Sequence, residues 1–193
     1  LINKQTQKNL NFFFIKKKNS PTILKKRFLD EVNNSKVIGV YNLNDEEINN
    51  NDENKFLKKL KSLKKTHCTI ISDYGHGLIT NSIAKYLCKS SSFIALNAQI
   101  NSSNIGIHSM RKYRNIDLYI INEKEIRHEF RDKVNKVEIL MKKISKEQNI
   151  KIVVVTRGLK GSVLYSSSKN SYFYCGALAN EIKDKVGAGD AML

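Results

Sequence analysis

The sequence lacks the features that mark several common protein classes. No apolar run approaches the length needed to cross a bilayer, and no charged-then-apolar signal segment opens the chain. We therefore expect a cytoplasmic protein without membrane contact. There is no GxxxxGKS/T phosphate loop, and the glycine-rich stretch at 187–192 lacks the third glycine of a GxGxxG dinucleotide motif. These absences argue against a membrane span, a P-loop nucleotide site and a dinucleotide-binding fingerprint.

Cysteine is scarce and scattered along the chain. The three cysteines, Cys68, Cys88 and Cys175, are odd in number and far apart, and they form no CxxC motif. No histidine stands at metal-ligand spacing from any of them. This pattern predicts reduced, buried thiols rather than a disulfide framework or a zinc site.

Acidic residues are few relative to basic ones. The 34 lysines and arginines stand against 18 aspartates and glutamates, which gives a net charge of +16. A basic chain can bind nucleic acid or acidic lipid. Here, however, the lysines are spread over most segments, and the denser runs at 16–18 and 58–65 are typical of solvated faces and loops. We therefore do not expect specific nucleic-acid binding.

The first part of the chain predicts an antiparallel unit. β-branched and aromatic residues favour strands at 11–15, 22–28 and 36–41, and only short turns separate them. Asn, Asp and Glu then crowd residues 42–54, which predicts a loop or a helix entry. A helix is predicted next, because four apolar residues fall on one helical face: Phe56, Leu57, Leu60 and Leu63.

From residue 67 the pattern changes to alternating strands and helices. Short apolar runs favour strands that are buried on both faces of a parallel sheet. These strands are predicted at 68–72, 93–97, 117–121 and 151–156, with helices near 80–89, 104–113, 123–130 and 134–148. The last helix carries an apolar stripe that we assign to the core: Val134, Val137, Leu140, Met141 and Ile144. A hairpin of strands at 162–166 and 171–175 completes a predicted α/β fold.

The segment 184–193 is the richest in chemical signals. Gly187-Ala188-Gly189 precedes a predicted helix, so successive backbone N–H groups and the positive end of a helix dipole would face an anion. Asp190 follows where a base could take the proton of an attacking hydroxyl. A Gly-Ala-Gly turn before a helix is also often only a tight connection.

Polar sequences also follow the four predicted parallel strands. Ligands of open α/β sheets bind at the carboxyl ends of strands. The polar exits are 72–77 (SDYGHG), 97–99 (NAQ), 122–125 (NEKE) and 156–161 (TRGLKG). Four such exits at one edge, together with the Gly-Ala-Gly-Asp segment, predict a binding site there.

Together these segments resemble the ribokinase-like, PfkB-type carbohydrate kinases. Residues 184–190 are similar to the family's D-T-x-G-A-G-D signature, 122–125 to its NxxE element, and 156–161 to its TxGxxG turn. Residues 72–77 resemble the S-D-Y-x-K-G stretch of heptose-phosphate kinases. Residues 97–101 resemble sugar kinases that are fused to a nucleotidyltransferase.

The resemblance implies a ribokinase-like three-layer fold, with a mostly parallel central sheet and a small antiparallel lid sheet. On this reading residues 1–193 form an incomplete kinase domain, truncated at both ends and with little activity alone. Residues 1–41 would be a remnant of the lid strands, which could pair two copies as a homodimer, and residues 67–193 would be the core with the nucleotide site.

The resemblance also implies a function: ATP-dependent phosphorylation of a hydroxyl on a sugar or sugar phosphate. Asp190 would be the base, and the N–H groups of Gly187, Ala188 and Gly189 would form an anion hole. The other implied contacts are Asn122 and Glu125 to Mg²⁺ and triphosphate, Thr156, Gly158 and Gly161 to the nucleotide, and Asp73 and Asn97 to the sugar.

Two positions depart from the family pattern. Lys185 stands where the signature has threonine, beside Asp184, near which a monovalent cation is implied. His76 stands where the heptose kinases have lysine.

Other classes of function stay open from the sequence. One is a catalytically inactive scaffold with the same fold. Another is a basic nucleic-acid-binding protein, which would need aromatic stacking platforms among its lysines. Phe12–Phe14 is the one candidate cluster, and we interpret it as part of a buried strand.

Overall fold

The computed structural model describes residues 10–32, 36–99 and 109–177 of the chain. Within these ranges the larger sheet has six strands that lie side by side in chain order. The first four are parallel, and the last two add as an antiparallel hairpin. They are β3 (Thr66–Asp73), β4 (Ser91–Ala98), β5 (Leu118–Asn122), β6 (Ile152–Thr156), β7 (Ser162–Ser166) and β8 (Ser171–Cys175).

The described residues also form four α-helices. α1 (Asn50–Ser62) precedes β3, α2 (Asn81–Leu87) connects β3 to β4, and α3 (Glu123–Phe130) and α4 (Val137–Gln148) connect β5 to β6. 3₁₀ turns lie at Met110–Lys112, before β5, and at Gly158–Lys160, before β7. Most of the helix predicted at 104–113 lies outside the described residues. Its described end is the short 3₁₀ turn rather than an α-helix, because the backbone at Tyr113 is already extended (φ −99°, ψ 133°).

A separate two-stranded antiparallel sheet precedes this core. It pairs β1 (Leu24–Leu29) with β2 (Lys36–Asn42), which confirms a small antiparallel unit at the front of the chain. We call it the lid sheet. Among the described residues it has two strands rather than three.

The strand predicted at 11–15 is wrong. These residues form no strand, and the side chains of Phe12 and Phe14 are 60% and 64% exposed rather than buried. The ring of Phe13 instead stacks against Phe56 of α1, with ring centroids 6.2 Å apart. High β-propensity does not make a strand where no neighbouring strand pairs with it.

The core lies between the parallel strands and their helices. Residues 94–98 of β4 and 153–155 of β6 are buried as continuous runs, as expected for strands covered on both faces. The predicted stripe of α4 is confirmed at four positions, all at most 2% exposed: Val137, Leu140, Met141 and Ile144. The assignment of Val134 to this stripe is wrong. Val134 is 93% exposed because it lies in the turn before α4, where its N–H donates to the carboxylate of Asp132.

All three cysteines are free in the structure. Their predicted burial is correct only for Cys88; Cys68 and Cys175 are exposed. Cys175 ends β8, which is the outermost strand of the large sheet.

Within the described ranges, no helix is both long and apolar enough to cross a membrane.

Two isoleucines of α4 provide a test of this core. Ile144 is 1% exposed and Ile139 is 52% exposed on the same helix. Ile144→Ala should lower the free energy of unfolding by about 2–5 kcal/mol, because it leaves a cavity in a packed interior. Ile139→Ala should change it by only about 0.5 kcal/mol. Urea denaturation of both variants measures the difference, and equal losses would contradict this position of α4.

Candidate functional site

The four parallel strands end at one edge of the large sheet. Asp73 and Asn97 lie at the ends of β3 and β4, with Ser72 paired in register to Asn97. Asn122 and Thr156 end β5 and β6 and are paired directly. The amide nitrogen of Asn97 also donates to the carbonyl of Ile120 on β5, at 3.2 Å. The predicted polar exits therefore share one edge.

Asn122 and Glu125 form a capping box at the start of α3. The side-chain oxygen of Asn122 accepts from the N–H of Lys124 at 2.9 Å, and Glu125 accepts from the N–H of Asn122 at 2.9 Å. This pattern satisfies N–H groups that a helix start otherwise leaves unpaired. The amide nitrogen of Asn122 also lies 3.4 Å from the hydroxyl of Thr156, which links the exits of β5 and β6. The three-residue spacing of Asn122 and Glu125 is thus the spacing that a capping box requires.

An ion-pair network holds the turn after β6 against α3. The carboxylate of Glu123 accepts from Arg157 at 2.8 Å and from Arg127 at 2.8 Å. Burial raises the pKa of Glu123, but the two guanidinium groups outweigh it and hold that pKa below its usual range. The carboxylate therefore stays ionised and fixes Arg157 beside the first turn of α3.

The turn at 156–161 depends on Gly161. Its φ is +76°, and a Cβ there would lie 2.0 Å from the carbonyl oxygen of Cys175. The N–H of Arg157 donates to the carbonyl of Gly161 at 2.8 Å, which closes the turn before β7. Gly158 also has a positive φ, of +61°, but no atom lies within 4 Å of its Cβ position. Gly158 consequently leaves backbone exposed on the open side of the turn.

Asp73 is buried and accepts several hydrogen bonds. Its carboxylate is 4% exposed, and it accepts from Tyr113 at 2.5 Å, from Lys112 at 2.7 Å and from the N–H of Gly75 at 2.9 Å. Burial raises the pKa of Asp73, but Lys112, Tyr113 and Gly75 together bring it below its usual value. Burial and the neighbouring carboxylate raise the pKa of Tyr113, so its hydroxyl stays protonated and donates.

The loop after Asp73 packs against the segment that leaves β2. Gly77 has a φ of +78°, and a Cβ there would lie 1.9 Å from the carbonyl oxygen of Glu46. The N–H of Ile48 donates to the carbonyl of Gly77 at 2.9 Å. Lys17 binds the same segment through the carbonyls of Asn44 and Glu46. The two loops are therefore in direct backbone contact.

His76 connects this pair of loops to the lid sheet. Its Nδ1 lies 2.6 Å from a carboxylate oxygen of Asp45, and its Nε2 lies 3.0 Å from Nζ of Lys25 on β1. The sequence analysis notes His76 only as a departure from a motif, and it misses Asp45, Lys25, Lys112 and Tyr113. No spacing rule could find them, because Asp45 and Lys25 lie 31 and 51 residues from His76.

Asn97 retains an unpaired acceptor. The residue is 4% exposed, and its side-chain oxygen has no hydrogen-bond partner within the described ranges. The hydroxyl of Tyr119 on β5 is also buried and also has no hydrogen-bond partner among the described residues. Buried polar atoms normally have partners, so the oxygen of Asn97 is suited to a donor brought by a ligand.

The remaining predicted site residues lie outside the described part of the chain. They are Asp184, Lys185, Gly187, Ala188, Gly189 and Asp190. Among the residues that the structure does describe, no group of three or more His, Cys, Asp or Glu side chains could hold a metal ion. Asn122 and Glu125, with one amide and one carboxylate, are instead compatible with a hydrated Mg²⁺ that keeps several waters.

Comparison with known proteins identifies one family. A family sequence model described as pfkB family carbohydrate kinase matches residues 1–193. No curated protein sequence matches the chain.

Solved structures share the fold at low sequence identity. A point mutant of phosphofructokinase-2 from Escherichia coli is 16% identical, with a TM-score of 0.63 over 90% of this chain and 56% of that one. Ribokinase from Thermotoga maritima is 17% identical, with a TM-score of 0.63 over 89% and 53%. Phosphofructokinase-2 from Escherichia coli in complex with potassium is 15% identical, with a TM-score of 0.58 over 80% and 51%. The chain thus has a ribokinase-like fold and spans about half the length of these structures.

The ion pair at Asp73 should make stability depend on acid pH. A carboxylate whose folded pKa is depressed stabilises the fold above its unfolded pKa, near 4, and loses this contribution as the pH falls through the folded value. Lys112→Met should lower the free energy of unfolding at pH 7 by about 3 kcal/mol, because it leaves a buried carboxylate without its cation. It should also reduce the loss of stability as the pH falls below about 4.

Denaturant unfolding across this pH range measures both effects. Lys142→Met removes an exposed lysine from α4 and serves as the control, with little change expected. Unaltered stability of Lys112→Met would show that the pair does not hold the loop.

Proposed function

The chain belongs to the pfkB family of carbohydrate kinases, and we propose that the protein containing it transfers the γ-phosphoryl group of ATP to a hydroxyl of a sugar or sugar phosphate. The observation that carries this proposal is the meeting of four polar strand exits at one sheet edge. In this proposal residues 1–41 contribute to the lid and residues 67–193 to a core that is part of a larger kinase domain.

The nucleotide would bind beside β5 and β6. Thr156, Gly158 and Gly161 lie in the turn that would line it, and exposed backbone at Gly158 allows close approach. Asn122 and Glu125 would hold a hydrated Mg²⁺ and the triphosphate, and the magnesium would neutralise charge on the phosphate oxygens. The capping box supports this assignment because it fixes both side chains at the start of one helix.

The acceptor would bind beside β3 and β4. Asn97 would accept a hydrogen bond from a sugar hydroxyl through its side-chain oxygen, which has no partner among the described residues. Asp73 stays a predicted sugar contact, but its burial supports a second role in which it fixes the loop 74–77. A rigid loop matters because phosphoryl transfer depends on the position of its reactants.

The chemical step would use residues of the C-terminal segment. Asp190 would take the proton of the attacking hydroxyl, while the N–H groups of Gly187, Ala188 and Gly189 stabilise charge on the transferred group. A monovalent cation near Asp184 is part of this proposal, and one structure with the same fold was solved in complex with potassium. The support for these assignments is the sequence of 184–190.

One observation favours a second candidate function. Phe12, Phe13 and Phe14 are exposed, and three lysines follow at 16–18, so aromatic and basic groups adjoin as in single-strand-binding surfaces. Phe13 already stacks on Phe56 of α1, which leaves a small platform. A salt titration of binding to oligo-dT would support this role only if affinity falls on replacing Phe12 and Phe14 by alanine.

The lid sheet could also pair two copies of the chain. Every residue of β1 is exposed, and one face of the lid carries Leu24, Phe28, Ile38 and Val40. An exposed apolar face of this kind marks an interaction surface.

We expect Phe28→Asp to shift the protein to the monomer in sedimentation at micromolar concentration. Val32→Asp, at a 93% exposed position in the turn after β1, should leave the oligomeric state unchanged. A protein that is monomeric before any substitution would contradict the pairing.

The sharpest test of the reaction is Asp190→Asn. Asparagine keeps the shape of the side chain but cannot accept the hydroxyl proton, so kcat should fall by roughly 10²–10⁴-fold while the affinity for ATP changes little. The measurement is steady-state kinetics of the protein that contains this chain, with its folding verified by circular dichroism. If Asp190 only caps a helix, the variant should lose about 1 kcal/mol of stability and keep a near-normal kcat, which would contradict the role as base.

A further inference from the structure

The turn after β6 has little side-chain packing of its own. None of its residues Gly158–Lys160 is buried, and Leu159 is 63% exposed. Its internal hydrogen bonds join backbone groups: the N–H of Arg157 donates to the carbonyl of Gly161, and the N–H of Gly161 donates to the carbonyl of Gly158. A turn without a buried side chain depends on contacts at its ends to keep its position.

Side-chain contacts of unequal strength join this turn to the start of α3. The amide nitrogen of Asn122 lies 3.4 Å from the hydroxyl of Thr156, which is long for a hydrogen bond. Nε of Arg157 donates to the carboxylate of Glu123 at 2.8 Å. Charge-assisted bonds of this length are about twice as strong as neutral ones. The ion pair is therefore the stronger of these two connections between turn and helix.

Glu123 lies between the two residues of the capping box. It is the first residue of α3, directly after Asn122 and two residues before Glu125. Guanidinium groups occupy both of its oxygens, because Oε1 accepts from Arg127 and Oε2 accepts from Arg157. Two guanidinium groups beside one carboxylate leave net positive charge there, which disfavours a further cation at Glu123. Glu123 is therefore suited to holding the turn rather than a metal.

Arg127 and Arg157 are matched in their contact with Glu123. Both lie 2.8 Å from its carboxylate, and both side chains are 23% exposed. They differ in what they attach to it. Arg127 belongs to α3 itself and also donates to the carbonyl of Asn135, before α4, at 2.9 Å. Of the two, Arg157 alone connects Glu123 to the turn after β6.

We propose that Glu123 and Arg157 are positioning residues for the nucleotide, because their ion pair holds the turn at 156–161 in place beside Asn122 and Glu125. The turn and the two side chains proposed to hold magnesium then form one unit, and a triphosphate that reaches both finds them already aligned. This inference rests on the proposed kinase function and deepens it, since it gives roles to two residues outside the motif positions. Both residues act through the turn and not on the reacting atoms.

Hydrogen exchange without nucleotide tests the structural premise. In the protein that contains this chain, Arg157→Met should raise the amide exchange rate of a peptide covering residues 156–161 by about 3- to 10-fold. This range reflects the loss of one charge-assisted contact that is partly screened by solvent. Arg127→Met should leave the same peptide within about twofold of wild type and should raise exchange at 132–137 instead.

Calorimetric titration with ATP tests the consequence for binding. With saturating magnesium, Arg157→Met should weaken ATP binding by about 3- to 10-fold, because the turn is no longer held beside the metal. In excess EDTA the effect should be less than about twofold, since no metal then links the triphosphate to Asn122 and Glu125. Arg157→Lys keeps a cation beside Glu123 and should retain most of the affinity. The KM for the acceptor should change by less than about twofold in either variant.

The matched control is Arg127→Met, which removes a guanidinium at the same distance from the same carboxylate. It should change the affinity for ATP by less than about twofold. Glu123→Gln should weaken ATP binding about as much as Arg157→Met, and the double variant should bind no more weakly than either single variant. Because all three side chains are partly exposed, circular dichroism should show every variant to be folded.

The outcomes separate this inference from the function on which it rests. Equal effects of Arg157→Met and Arg127→Met on ATP affinity, or unaltered exchange at 156–161, would overturn the positioning role and leave the kinase intact. Tighter ATP binding in Glu123→Gln would also overturn it, because a released Arg157 would then be contacting phosphate directly. A wild-type protein that does not bind ATP would overturn the kinase function itself, and the positioning role with it.

Discussion

The carboxylate of Asp73 lies buried at the end of β3, where donors from two separate segments converge on it. A buried charge is costly unless it is paired and hydrogen-bonded, so this carboxylate constrains whatever supplies its partners. Lys112 and Tyr113 come from the connection before β5, and Gly75 comes from the loop that follows Asp73 itself. Lys112 also donates to the carbonyl of Ile79 at 2.6 Å. One ion pair thereby fixes both ends of the loop after β3.

The lid sheet depends on that loop. With the loop held, Gly77 makes a backbone contact with Glu46 that no residue with a Cβ could make, and His76 faces Asp45. Lys25 of β1 then reaches His76, so the position of the lid follows from the order established by Asp73. A series of contacts therefore runs from Asp73 through the loop after β3 to the lid sheet. The ion pair at Asp73 is in this way connected to the polar groups at the ends of β3 and β4.

The ends of β5 and β6 are organised differently, by local sequence. Asn122 and Glu125 cap α3 through contacts that span three residues, and Gly161 closes a turn of six residues. Such contacts join residues that are close in sequence, which is why a spacing rule can detect them. The same capping contacts hold an amide and a carboxylate at the mouth of the edge. Helix capping and metal binding are therefore compatible uses of these two side chains.

The sequence by itself determined the α/β class, the order of strands and helices after residue 67, and the family. It also located the polar strand exits, because hydrophobic periodicity and short motifs are properties of neighbouring residues. It could not show that Phe12–Phe14 pair with no strand of the described residues or that Val134 precedes α4. Those outcomes depend on which distant segments are available as partners. Only the tertiary structure brought Lys25 and Asp45 to His76, and Lys112 and Tyr113 to Asp73. Contacts across 31 to 51 residues are set by how the loops pack, and no local pattern encodes them.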